Sequence, residues 1–400
     1  MANALLDKLK KVSANKIKSK TLADTDFFNS KKYGAAFDTH LFNLAVSGKF
    51  KDGGVTPGVT VLAGPSRSLK TVFGIYGVKA FLDKFEEGIC LFYDSEFGGP
   101  GYWETAGVDM DRVLHIPIKN IEDLKFDVQN KLNELTDKDK VIIFIDSIGM
   151  LASKKEANDA LEENSAADMT RAKEIKSFFR IVTPTLNQYH IPLLAINSVH
   201  ASFDKYAPVA MGGGTGILLA ANTVLFFAKS KLKDERSDKE KKADTSGRTT
   251  DDGRFGNKFR ITIEKSRFIK EGSKFEFEVV YGERGPNRYT GLYEMALKTG
   301  DIYSPSNGWR AARTIDKDGN ILPEDQHPKF REKDKRLDPD FWEKTMFKQT
   351  NFAQNVENRI SLQFVGGDAA DFTDDADNAS YIPPDDDLPP HDPVTGELED

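Results

Sequence analysis

The chain has 400 residues, a formal net charge of −7, 39% hydrophobic residues and a single cysteine. That length holds roughly two or three domains and a sizeable core, while one cysteine excludes a disulfide framework and points to a reducing, cytoplasmic setting. No apolar stretch is of signal-peptide type or long enough to cross a bilayer, so no membrane partner is expected.

The charge is unevenly spread. Residues 368–400 hold twelve Asp/Glu and no Lys/Arg, and setting those twelve charges aside leaves 1–367 at +5. A mildly basic body with an acidic tail suits a polyanion partner, and equally suits a tail that only solubilises.

In chain order, residues 1–20 read as a lysine-rich helix with Leu5, Leu6, Leu9, Val12 and Ile17 roughly on one face. Phe27 and Phe28 follow as an apolar plug, fit for docking on a neighbour or for packing on the same chain. From residue 58 strands and helices alternate. The spacing predicts strands over 59–63, 88–93, 113–116, 141–145, 191–196 and 223–228, with helical patterns between most of them. This alternation predicts an α/β fold with a largely parallel, doubly wound sheet, whose ligands bind beyond the carboxyl ends of the strands.

The first strand runs into Gly64-Pro65-Ser66-Arg67-Ser68-Leu69-Lys70-Thr71, and a helix is expected over 72–85. Loop amides and a helix N-terminus form an anion cradle, a lysine reaches terminal phosphates, and a threonine hydroxyl can hold Mg²⁺. The P-loop pattern has glycine where this chain has Leu69, so the match is degenerate and an ordinary strand–turn–helix is the plain alternative. Two later strand ends strengthen the nucleotide reading. One is Tyr93-Asp94-Ser95-Glu96; the other is the apolar run 141–145 ending in Asp146, the Walker B arrangement in which a carboxylate acts on Mg²⁺ or its waters. A third end, Asn197-Ser198, offers small polar groups suited to sensing a γ-phosphate.

A helix over 168–183 carries an apolar stripe and, on another face, Lys173, Lys176 and Arg180. It lies between two expected loops, 151–167 and 199–216, the second containing Gly212, Gly213 and Gly214. Basic groups beside flexible loops suit a nucleic-acid backbone. Residues 229–258, with ten Lys/Arg and seven Asp/Glu, read as a disordered excursion between two strands. Strands are expected again over 259–265 and 274–281, with Lys265 and Arg267 at the turn between them. Periodicity is weak over 286–365, where Trp309 and Trp342 are expected core anchors.

The segments GPSRSLKT, CLFYDSEFG, VIIFIDSIGMLASKKE, DMTRAKEIKSFFRIVTP, MGGGTG and EKSRFIKEGSKF, in this order, resemble the UvsX-type recombinase of tailed phages, a relative of bacterial RecA. The resemblance is dense over about 20–300, and the bulky Leu69 fits it. It implies a RecA-like P-loop ATPase core over 31–285 behind an N-terminal polymerisation helix and linker over 1–30. An accessory region over 286–365 and a disordered acidic tail over 366–400 complete the expected domains. It also implies ATP and Mg²⁺ as cofactors, filaments on single-stranded DNA, and pairing with homologous duplex DNA. A single-strand-binding protein and a recombination mediator are the implied partners. Under it Lys70 and Thr71 bind phosphate and Mg²⁺, Asp146 is the Walker B carboxylate, Glu96 activates water and Tyr102 stacks on adenine. Lys265 and Arg267 act on the neighbouring subunit's γ-phosphate as fingers supplied in trans. RecA has glutamine where this chain has Ser198, so the γ-phosphate sensor is open between Asn197, Ser198 and His200. The competing readings are a hexameric helicase with the same core, a non-catalytic ATP-gated DNA-binding paralogue, and a small-molecule kinase.

Overall fold

Apolar runs separated by helices build one large sheet. The computed structural model describes residues 2–12, 21, 30–161, 170–200, 210–212, 215–234, 248–250, 252–283 and 285–362. The strands, in chain order, are β1 (Gly58–Gly64), β2 (Ile89–Asp94), β3 (Val113–Pro117), β4 (Val141–Asp146), β5 (Pro192–His200), β6 (Ala210–Met211), β7 (Thr223–Lys233), β8 (Arg254–Ser266) and β9 (Lys274–Val280). Their spatial order is β3-β2-β4-β5-β1-β7-β8-β9, with short β6 paired to the end of β5. The pairings from β3 through β7 are parallel, and β8 and β9 add on antiparallel.

Period-two alternation in the central strands feeds two cores. Ile142 and Phe144 of β4 face one, and Val141, Ile143 and Ile145 face the other. On the first face lie α3 (His40–Ser47) and α4 (Lys70–Lys84); on the second lie α6 (Ile121–Glu134), α8 (Thr170–Gln188) and α9 (Thr215–Ala220). Two glycines let α4 approach the sheet closely. A Cβ at Gly74 would come within 2.3 Å of the Phe144 ring, and one at Gly77 within 2.7 Å of Leu194. The remaining helices before β8 are α1 (Ala2–Lys11), α2 (Ser30–Tyr33), α5 (Gly101–Ala106) and α7 (Lys154–Leu161).

Residues beyond β9 form a helix, α10 (Leu292–Thr299), and an antiparallel sheet of β10 (Ile302–Ser306), β11 (Trp309–Ala312) and β12 (Lys329–Phe330). Trp342 is fully buried among Phe341, Phe347 and Phe352, in the same apolar cluster as α3 and α4. Trp309 is not a core anchor. It is 40% exposed, with the Arg331 guanidinium stacked on its ring.

Other expectations are corrected as well. The described part of the N-terminal helix is Ala2–Lys11, and Leu5, Leu6, Leu9 and Val12 are exposed; Ile17, Phe27 and Phe28 lie outside the described residues. The 151–167 stretch is not all loop. Ser153 and Glu156 satisfy each other's backbone N–H groups in a capping box, and α7 starts at the next residue. Strand β5 runs past 196 to His200, where Ala210–Met211 folds back on it, so residues 199, 200, 210 and 211 are strand rather than loop. Over 229–258 the ladder continues outward as a hairpin from Lys229↔Phe259 to Lys233↔Arg254. A strand pair needs backbone partners, and one solvated face tolerates the cations that made this stretch read as disordered. Residues 235–247 lie outside the described residues. Helix α8 also continues through Pro184 to Gln188, beyond the expected end at 183.

Candidate nucleotide site and nucleic-acid face

The carboxyl ends of β1, β2, β4 and β5 meet at one edge of the sheet, and the sequence-selected residues gather there. After β1 the chain turns through Pro65, Ser66 and Arg67, all exposed, into buried Ser68 and Lys70. A Cβ at Gly64 would lie 2.6 Å from Phe227 O, which leaves room for no side chain. Arg67 and Leu69 hold φ of 59° and 78°, in the left-handed region. Leu69 thus adopts the backbone that the missing glycine would take, while its side chain packs on the core.

Lys70 Nζ donates to Gly64 O at 2.9 Å and Pro65 O at 2.7 Å, so its ammonium sits in the mouth of the loop. Burial lowers its pKa, opposed by the Glu96 and Asp146 carboxylates. Thr71 Oγ1 donates to Asp146 Oδ2 at 2.8 Å, joining the start of α4 to the end of β4. Burial pushes Asp146 up to about 6; the Thr71 hydrogen bond opposes this, and Glu96 and Asp94 add to it. Asp146 Oδ1 is buried with no hydrogen-bond partner. An unpaired carboxylate oxygen beside a threonine hydroxyl suits a hydrated divalent cation. Among the described residues no group of three or more His, Cys, Asp or Glu could hold a metal ion.

Glu96 is exposed at the end of β2, and Ser147 Oγ donates to its Oε1 at 2.8 Å. The two loops are laced together. Ser147 N donates to Ser95 Oγ at 3.0 Å, Ser95 Oγ to Ser147 O at 2.9 Å, and Ser95 N to Asp146 O at 2.9 Å. Asp94 is committed elsewhere. Its Oδ1 accepts the N–H groups of Glu96 and Phe97, and its Oδ2 lies 3.0 Å from His115 Nε2. Glu96 is therefore the carboxylate left facing outward. Tyr102 is 62% exposed on α5, whose next residue, Trp103, is buried against Phe92 and Phe144. Anchored in this way, α5 turns the Tyr102 ring outward.

At the end of β5, Asn197 is fully buried; its Nδ2 donates to Gly212 O at 2.8 Å and its Oδ1 accepts from Ser198 N. Gly212 N donates in turn to Ser198 O at 3.2 Å. Asn197 thus ties the strand end to the glycine segment. His200 ends β5, while Gly213 and Gly214 lie outside the described residues. Lys173, Lys176 and Arg180 are exposed on α8, and α9 begins against Lys176, where a Cβ at Gly216 would come within 2.7 Å of it.

Lys265 and Arg267 do not join this group. Lys265 pairs with Val224, which pairs with Val61, three residues short of Gly64, or about 10 Å along the strand. Its amine donates to Leu218 O of α9, on the face of the sheet opposite α4. Arg267 N donates to Asn222 O, whose own N–H bonds Val59 near the start of β1. Neither residue approaches Lys70 of the same chain.

Sequence reading missed Ser95, Ser147 and His115, whose roles exist only once β2, β3 and β4 are neighbours. It also missed Arg171, which donates to three carbonyls after β4.

Comparison with known proteins adds to this geometry. The family described as bacteriophage T4 recombination and repair protein, C-terminal domain, matches residues 289–356. The recombination and repair protein of Enterobacteria phage T4 is 38% identical over 360 residues, covering 90% of this chain and 86% of its own. Protein RecA of Nitrobacter winogradskyi is 24% identical over 259 residues, covering 64% of this chain and 66% of its own. Protein RecA of Tropheryma whipplei is 24% identical over 337 residues, covering 82% and 67%.

Proposed function

Because the chain belongs to the family of the phage T4 recombination and repair protein, the UvsX branch of the RecA-like recombinases, we propose that it is an ATP-dependent DNA recombinase. It hydrolyses ATP in a DNA-dependent way and pairs single-stranded DNA with a homologous duplex. The observation that carries the residue-level reading is the meeting of Lys70, Thr71, Asp146 and Glu96 at one sheet edge. Lys70 and the loop amides take the phosphates, and Tyr102 takes the adenine. Thr71 and Asp146 would hold Mg²⁺, which would supply positive charge against the phosphates. Glu96, oriented by Ser147, takes a proton from the attacking water.

The remoteness of Lys265 and Arg267 from their own Lys70 supports a role across a protomer boundary, where they stabilise charge on the neighbour's γ-phosphate. Hydrolysis then needs assembly. Lys173, Lys176, Arg180 and the Gly212–Gly214 segment hold the DNA backbone. A single-strand-binding protein and a mediator are the expected protein partners. The helicase, kinase and non-catalytic readings are not favoured beside this family membership.

Negative-stain images of the protein with ATP and single-stranded DNA should show open helical filaments. Closed rings, or no ATP-dependent assembly, would sink the recombinase reading.

A further inference from the structure

Arg171 stands two positions before Lys173 on α8 and, judged by charge alone, would open the basic stripe. Its guanidinium is already engaged. Nε donates to Leu151 O at 2.7 Å, and Nη2 donates to Gly149 O at 2.6 Å and Ile148 O at 3.4 Å. All three carbonyls belong to the single turn that follows Asp146-Ser147 at the end of β4. That turn rests directly on the end of β5. A Cβ at Gly149 would lie 2.8 Å from Ser198 N and 3.0 Å from Asn197 Oδ1. From there Asn197 reaches Gly212, and on the other side of the turn Ser147 reaches Glu96.

We propose that Arg171 is a positioning residue that couples the DNA-binding elements to the hydrolytic site. This rests on the reading of the chain as a DNA-dependent ATPase. The side chain ties the helix bearing Lys173, Lys176 and Arg180 to the turn beginning beside Ser147. A displacement of α8 on DNA therefore reaches the hydroxyl that orients Glu96. The fork matters more than the charge. A guanidinium presents several N–H groups in one plane and can hold three carbonyls, whereas an ammonium is a point charge on a flexible stem. A phosphate-binding arginine would behave differently, because lysine serves there and each lost phosphate contact makes the salt dependence shallower.

The test compares the parent protein with Arg171→Lys and Arg171→Ala. Three quantities are measured: ATP turnover with and without a single-stranded oligonucleotide, the KM for ATP, and the slope of log DNA affinity against log salt. In both variants DNA-stimulated kcat should fall about tenfold, within the usual range of site-to-site coupling, with KM and slope unchanged. Rescue by lysine, a slope shallower by about 0.7, or full stimulation in the alanine variant would overturn the proposal. A parent protein that DNA does not stimulate would instead refute the recombinase reading, and the coupling with it. Should the variants not fold, hydrogen exchange on the unmodified full-length chain decides. Adding DNA in the presence of a non-hydrolysable ATP analogue should alter exchange over 148–151 together with 170–180. A change confined to the helix would overturn the coupling.

Discussion

Replacing Gly74 by alanine tests whether the close seat of α4 on β4 builds the phosphate site. The added Cβ would stand 2.3 Å from Phe144 Cε2 and 2.6 Å from Cζ, whereas ordinary contact starts at 3.4 Å. The ring cannot swing aside, because Phe144 is fully buried, with Phe92 stacked at 5.4 Å and Trp103 at 6.0 Å. The helix must therefore lift by about 1 Å, the shortfall in that contact, for an overpacking cost of about 1–3 kcal/mol. Alanine returns about 1 kcal/mol through helix propensity, so the net loss is roughly 0–2 kcal/mol. The site should suffer more than the fold. Thr71 Oγ1 now lies 2.8 Å from Asp146 Oδ2, and a lift of that size takes the pair beyond hydrogen-bond distance. If the displaced pair then loses one charge-assisted contact with Mg-ATP, the cost is about 1.5 kcal/mol, or about tenfold in affinity. Urea unfolding and calorimetric titration with Mg-ATP read the two effects separately. A raised urea midpoint with unchanged Mg-ATP affinity would refute the reasoning.

Four further outcomes are expected. Glu96→Gln should keep ATP binding and filament assembly while slowing hydrolysis by roughly two orders of magnitude, the range of general-base loss; near-normal turnover in a steady-state assay would move the role elsewhere. Lys265→Ala and Arg267→Ala should each bind ATP yet hydrolyse it poorly, and mixing either with Glu96→Gln should restore activity at mixed junctions; mixtures that recover nothing would remove the trans arrangement. Burial lowers His40 to about 4 with help from Arg288 and against Glu343, so the folded state binds fewer protons than the unfolded one near pH 5. The stability difference between the parent and His40→Phe should be constant above pH 6.5 and shift by about 2 kcal/mol against the parent between pH 7 and pH 5 in urea titrations, the opposite contribution of Asp146 being common to both. Deleting residues 368–400, with their twelve carboxylates, should tighten duplex DNA binding, most at low salt where the Debye length exceeds ~10 Å; equal anisotropy titrations would rule out an electrostatic brake.

What could be read from the sequence was local in sequence. A buried strand ending in one carboxylate, as in 141–146, shows as an apolar run with a single charged end, and β2 and β4 were legible in that way, β1 and β5 as apolar runs closed by glycine or small polar residues. The P-loop pattern stays legible despite the bulky Leu69, which holds the left-handed backbone conformation that glycine takes readily. Hairpin pairing between Lys229 and Phe259 was not legible, because ladder bonds are made by backbone and leave no trace in composition. Trp309 and Trp342 are alike as residue types. Only the tertiary neighbours of Trp342 bury it, while Trp309 stays at the surface under Arg331. Arg171 and Lys173 are alike in charge, and only the carbonyls within reach of Arg171 separate them.

The placement of charge within the sheet bears on why such a protein would hydrolyse ATP only when assembled. The groups proposed to grip phosphate converge at the carboxyl ends of the strands, on the α4 face. Lys265 lies on the opposite face and toward the other end, with its amine on a backbone carbonyl. No side-chain rotation spans that separation, since a lysine extends only about 6 Å while the strand offset alone is about 10 Å. On the proposed reading an isolated chain brings the cradle and Glu96 together but leaves Lys265 and Arg267 away from its own γ-phosphate. A neighbour stacked head to tail can present its opposite face to this edge, and a repeated heterologous contact of that kind generates a helix when its rotation does not close. On the proposed reading, filament geometry and catalytic competence are then one requirement met by one interface.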